Sequence, residues 1–150
     1  MKLRCILHSM VWLMVTLPSS ATVYYASPTG TDATGASKAS PGSITAMIGK
    51  LKAGDELQLL DGHYNLKSVI KITQSGTADQ YITITVADGA KPILDFRESP
   101  NGKDYNAILL SGNYFHLKGF TVRYSGYKGV SPYNSYISYN CCHEVLFFNT

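Results

Sequence analysis

From Glu56 onward, apolar and polar residues alternate in short runs separated by glycine-marked turns. Glu56-Leu57-Gln58-Leu59-Leu60 alternates and then reaches the turn dipeptide Asp61-Gly62. Tyr81-Ile82-Thr83-Ile84-Thr85-Val86 alternates most clearly, with Ile82, Ile84 and Val86 on one face and Thr83 and Thr85 on the other. That two-residue period predicts half-buried strands. Val69–Ile72, Pro92–Phe96, Ala107–Leu110, Tyr114–Lys118 and Phe120–Tyr124 read as further short strands. The intervening segments carry Gly, Pro, Asn and Asp, the residues that turns require.

The N-terminal part of this pattern differs. Val23–Ala26 is a short β-type run, and Ser27 to Gly42 is loop material rich in Gly, Pro, Ser and Thr. Ser43 is a good N-cap, and Ile44, Met47, Ile48 and Leu51 follow at helical spacing. The spacing predicts one amphipathic helix over Ser43–Leu51, ended by Gly54.

Leu57 to Ile82 is 25 residues and Ile82 to Ile108 is 26, and each interval holds a second strand. Short strands at a period of twenty-odd residues, without crossover helices, mark a solenoid. The expected fold is all-β, a parallel β-helix in which each coil lays its strands on those of the coil before. Leu57, Ile82, Ile84, Ile108, Leu117 and Val122 should then face one interior. The helix would cap the open end of the first coil, where unpaired backbone and apolar surface need cover. A β-sandwich is the alternative, since it also has short strands at regular spacing.

Met1-Lys2-Leu3-Arg4, a mostly apolar run from Ile6 to Leu17, Pro18 and Ser19-Ser20-Ala21 have the three-part layout of a secretory leader cut after Ala21. The apolar run is too short to span a membrane, which takes about 20 residues. Residues 1–21 are therefore expected to be a signal peptide and 22–150 the β-helix part, secreted or periplasmic, monomeric, with no membrane span after cleavage. The leader changes the charge picture. The whole chain is +3, and without Lys2 and Arg4 it keeps 11 basic against 10 acidic residues. That is too weak a surplus for nucleic acid to be a partner. The remaining cysteines, Cys141 and Cys142, are adjacent. Adjacent cysteines rarely bridge, and Cys141-Cys142-His143 is too crowded to hold one zinc ion, so two small residues in a strand or turn are expected.

Several motifs resemble secreted right-handed parallel β-helix proteins that act on polysaccharides, and the resemblance implies the right-handed form of the fold. Tyr24-Tyr25-Ala26-Ser27-Pro28-Thr29-Gly30-Thr31-Asp32 resembles their opening. Ala53-Gly54-Asp55-Glu56-Leu57, followed by Asp61-Gly62-His63-Tyr64, resembles their first coil. Ser75-Gly76-Thr77-Ala78 before Tyr81–Ile84, then Pro92–Phe96, continues the likeness. These early motifs are shared with the alginate and chondroitin lyases of polysaccharide lyase family 6. Asp95-Phe96, Gly119-Phe120-Thr121-Val122 and Gly126-Tyr127-Lys128-Gly129 are most similar to the pectate lyases of family 9.

The resemblance implies β-elimination on a uronic-acid polymer, with an aspartate-held calcium ion binding the sugar carboxylate and a lysine as base. Calcium is thus expected for the full-length family. This chain has no Asp-Asp or Asp-x-x-Asp cluster, and Glu144 is its only acidic residue after Asp104. No catalytic or metal residue is carried over. All 13 glycines lie at or before Gly129, and Ser131-Pro132-Tyr133 and Val145–Thr150 fit a coil poorly, while Asn134–Asn140 reads as a next coil. The expectation is the N-terminal part of a longer enzyme, truncated and inactive alone.

For substrate contact, Tyr114, His116 and Lys118 alternate on one predicted strand, with Arg123 close in sequence. Cations and rings on one face suit an acidic polysaccharide, pectate above all, through charge-assisted hydrogen bonds and stacking. A solvated strand face gives the same pattern. His63 is expected in a structural turn, and Asp95 is expected to bond a turn rather than a metal. The alternative function is a non-catalytic carbohydrate-binding or surface β-helix module, or a family 6-like fragment.

Overall fold

The computed structural model describes residues 20–99 and 106–125 in full and 128–132, 141–143 and 146–148 as backbone. Residues 1–19 of the leader and the Asn134–Asn140 coil, both read from sequence, lie outside the described residues. Twelve described strands form three sheets, and every pairing between strands is parallel. The first sheet stacks β1 (Val23–Ala26), β2 (Glu56–Leu59), β5 (Ile82–Val86), β8 (Phe115–Lys118) and β11 (Cys141–His143). The second stacks β3 (His63–Asn65), β6 (Ile93–Asp95), β9 (Thr121–Arg123) and β12 (Leu146–Phe148). The third stacks β4 (Ile70–Ile72), β7 (Asn106–Leu110) and β10 (Lys128–Pro132). From β2 onward, consecutive strands visit the three sheets in turn, so the chain is a parallel β-helix. A sandwich of antiparallel hairpins is excluded by the same pairings.

Alternation explains which side of each strand faces in. Leu57, Ile82, Ile84, Ile108, Leu117 and Val122 are all buried in one continuous core, as their spacing predicts. The register that joins them follows from the pairing of the coils. Leu57 stacks on Ile84 and then Leu117, whereas Ile82 stacks on Phe115. Ile108 belongs to the third sheet, over Ile70. The loops differ in length from coil to coil, so equal sequence spacing does not mean equal position.

Three local expectations are corrected. His63 does not sit in a turn: His63-Tyr64-Asn65 is β3, paired with β6, because the turn is already complete at Gly62, whose φ of 130° suits glycine. Tyr114 precedes its strand, with φ 58°. The glycine-free C-terminal segment also continues the coils. Val130-Ser131-Pro132 pair with Ile108-Leu109-Leu110, and Leu146-Phe147-Phe148 with Thr121-Val122-Arg123. Parallel pairing is made by the main chain, so the apolar Leu146-Phe147-Phe148 run can join a sheet without glycine nearby. Pro132 is tolerated because it closes a strand at the sheet's edge. Cys141 and Cys142 lie in strand β11.

The helix is shorter than its periodicity implied. It spans Ile44–Ile48, with the Ser43 side chain accepting from the Ala46 amide. Ile44, Met47 and Ile48 are buried, and the helix packs against β1 and β2. It covers the end of the solenoid, as a cap should. No described helix is long and apolar enough to cross a membrane.

Tyr64 ties the first coil together. Its ring is buried in the core, and its hydroxyl hydrogen is shared between the carbonyls of Ala26, at 2.8 Å, and Leu60, at 2.9 Å. Burial holds the phenol protonated by pushing its pKa well above the usual tyrosine value. Tyr64→Phe keeps the ring and strands the Leu60 carbonyl, so urea denaturation should show a loss of about 1–2 kcal/mol.

Candidate functional site

The outer face of the first sheet carries the polar half of each alternating strand. In register, Glu56 is followed by Thr83 and His116, and Gln58 by Thr85 and Lys118. Gln58 donates to Glu56 at 2.7 Å, so the lowest step of this ladder is internally satisfied. His116 and Lys118 are exposed, two residues apart on β8.

The same register places Tyr81 beside Tyr114, each one residue before the paired Ile82 and Phe115. The Tyr81 ring stacks on the His116 imidazole, with centroids 4.3 Å apart and planes at 27°. It meets Tyr114 edge-on at 5.5 Å and 90°. Tyr114 is therefore linked to His116 through Tyr81 rather than by strand alternation. Tyr81, absent from the sequence-derived set, is the residue that joins them. The result is a short aromatic shelf with a lysine two residues further along the strand, a combination suited to a sugar ring bearing a carboxylate.

Arg123 is not part of this face. It lies on β9 in the second sheet, in register with Asp95, and its carbonyl accepts from the Phe96 amide at 3.1 Å. A separate ionic group surrounds Asp95, which is only 4% exposed. One Asp95 oxygen accepts from the Arg97 amide at 2.8 Å, the turn role expected of it. The other lies 3.3 Å from His63 Nε2 and 3.6 Å from the Arg97 guanidinium. His63 Nδ1 is 3.0 Å from the Asn65 side-chain oxygen, so both ring nitrogens have polar partners. Arg97 also lies over the Tyr124 ring, 4.3 Å from its centroid. This group reads as a cover over a buried carboxylate.

The described carboxylates do not fit a calcium ion, which takes about 6–8 oxygen ligands. Three of them accept from backbone amides, within a turn or across to a neighbouring coil. Asp32 accepts from Thr34 and from the Gly35 amide, and these bonds hold its pKa below the usual value. Asp61 accepts from the Lys91 amide at 2.8 Å. Asp55 accepts from the amides of Thr22 and Lys52, at 2.9 and 2.8 Å. Among the described residues, no three His, Cys, Asp or Glu side chains gather as a metal-holding group.

Comparison with known proteins agrees with this architecture. Residues 24–147 match a family model described as the Pel9A-like, right handed beta helix region. Pectate lyase L of Thermoclostridium stercorarium is 30% identical over 97 residues, covering 63% of this chain and 7% of that protein. Pectate lyase L of Dickeya chrysanthemi is 27% identical over 121 residues, covering 74% of this chain and 28% of that protein. The crystal structure of pectate lyase Pel9A superposes with a TM-score of 0.64 at 24% identity, over 75% of this chain and 30% of that one. A rhamnogalacturonan lyase gives 0.61 at 20% identity, over 69% and 29%. The two structural likenesses establish the fold, and the chain spans less than a third of each relative.

Proposed function

The chain belongs to the Pel9A-like right-handed β-helix family, and from that membership we propose that it forms the first coils of a secreted polysaccharide lyase acting on polygalacturonate. The reaction proposed is calcium-assisted β-elimination. The observation that carries this reading is the family match over residues 24–147, supported by two relatives named pectate lyase L. Calcium, when bound in such an enzyme, neutralises the uronate carboxylate and acidifies the neighbouring proton. The described residues gather no such cage, and the part proposed for this chain is to hold polymer.

The shelf of Tyr81, Tyr114 and His116, with Lys118, is the proposed contact for the acidic chain. Lys118 supplies charge and the rings supply stacking area. Arg123, on another sheet, is left out of this contact.

The test separates chemistry from binding. Incubated with polygalacturonate and calcium, the purified 150-residue chain should give no rise in the ultraviolet absorbance of unsaturated product. It should still retain the polymer in affinity electrophoresis, and Lys118→Ala with His116→Ala should weaken retention by about tenfold. Calcium-dependent absorbance growth, abolished by a chelator, would overturn the non-catalytic assignment of these coils. Unchanged retention in the double variant would remove the shelf from the proposal.

A further inference from the structure

The first coil is closed by a carboxylate that meets no cationic side chain among the described residues. Asp55 is 4% exposed and stands at the turn between helix and β2. One oxygen accepts from the Lys52 amide at 2.8 Å, and the other from the Thr22 amide, 33 residues earlier, at 2.9 Å. Among the described residues no cationic side chain pairs with it. Thr22 is held from its other side as well, because its carbonyl accepts from the Glu56 amide at 2.9 Å. The nitrogen of Thr22 is therefore fixed against Asp55 at the start of the β1–β2 ladder.

Thr22 is also the residue that follows the small-residue sequence Ser19-Ser20-Ala21. We propose that cleavage of the Ala21–Thr22 bond converts this neutral hydrogen bond into an ion pair, so that removal of the leader locks the first coil. Hydrolysis by a leader peptidase adds one water across the bond. Ala21 departs with the new carboxylate, and Thr22 keeps the nitrogen, which takes up a proton as an ammonium. An α-amine titrates near 7.7–8.0 in a free chain, so it is mostly cationic at neutral pH (about 7). Its N–H already points at Asp55 before the cut, so no rearrangement is needed. A charge-assisted hydrogen bond is roughly twice as strong as a neutral one. Asp55 thereby gains the counter-charge that a carboxylate out of water otherwise lacks.

The chain expressed with its leader is exported, and the product's first residue is read by mass spectrometry. Thr22 is expected, and any other residue overturns the proposal. Acetylating the α-amine restores a neutral N–H donor at the same place, imitating the uncut bond. It should lower the folded-to-unfolded ratio by about fivefold to tenfold. In Asp55→Asn the same acetylation should change nothing. No effect in the unmodified protein, or an equal effect in Asp55→Asn, sinks the ion pair. A second measurement does not depend on that variant folding. The α-amine of the native product should acylate at least fivefold more slowly than that of the urea-unfolded product, and equal rates would count against the lock.

Discussion

Replacing Phe115 with alanine is expected to lower stability by about 3–5 kcal/mol, the range for deleting a fully buried aromatic ring. Phe115 is among the largest fully buried side chains of the described residues, at 0% exposure. It lies on β8, in register with Ile82 on β5, in the core shared by all three sheets. A solenoid's coil touches only the coils above and below it, so few neighbours are available to relax into the space. Part of the loss comes from apolar surface no longer buried and part from the cavity that remains. The check is the urea midpoint at constant slope. A fall much below about 1.5 kcal/mol would mean that the coils close over the gap, and an unchanged midpoint would place Phe115 outside the core.

Phe115 also shows what the sequence could and could not convey. Its burial follows from alternation along Phe115-His116-Leu117-Lys118, so strand and inner face were both legible. Its partner was not. Positions 57, 84, 117 and 142 stack in one sheet, stepping by 27, 33 and 25 residues. A spacing of 25 or 26 captured the solenoid and the inward faces of Ile82 and Ile108 but not which residues stack, because the connections lengthen independently. The segment between β6 and β7 alone runs from Phe96 to Tyr105. Strands of three residues, such as β3, are too short to display a period at all.

The same lack of register hid one of the four shelf residues, Tyr81, and the way it joins Tyr114 to His116. His116 and Lys118 share a strand, so their common face could be read from their spacing. Tyr81 and Tyr114 are 33 residues apart and become neighbours only once Ile82 is known to pair with Phe115. His63 and Asp95 are likewise joined by the stacking of β3 on β6. Arg123 follows Lys118 closely in sequence, yet the short turn at Gly119-Phe120 carries it to the next sheet. Proximity along a β-helix is therefore a poor guide to proximity on its surface, whereas one known pair between coils fixes a whole column.

Gly112→Ala is expected to be the most damaging of the single-methyl additions, at about 3 kcal/mol or more. A Cβ at Gly112 would stand 1.5 Å from the carbonyl oxygen of Gln74 and 2.7 Å from its carbon. Those are backbone atoms and cannot swing aside as the end of a side chain would. Both flanks of the contact are tied. The Ser111 amide donates to Ile72 at 2.8 Å, and the Asn113 amide to the Ser75 hydroxyl at 3.1 Å. The Gly76 amide returns a bond to the Asn113 carbonyl at 3.0 Å. Moving the turn to admit a methyl group would break several of these bonds together, and the Phe115 ring, 3.2 Å from the same point, blocks another direction. Gly89 provides the control. Its φ of 75° disfavours any side chain, but nothing lies within 4 Å of its Cβ position. Gly89→Ala should therefore cost only the left-handed backbone penalty, about 1–2 kcal/mol. Measured side by side in urea, Gly112→Ala should unfold at clearly lower denaturant than Gly89→Ala. The reverse order would mean that the turn after β7 and the loop after β4 do not pack as closely as the Gly112–Gln74 contact requires.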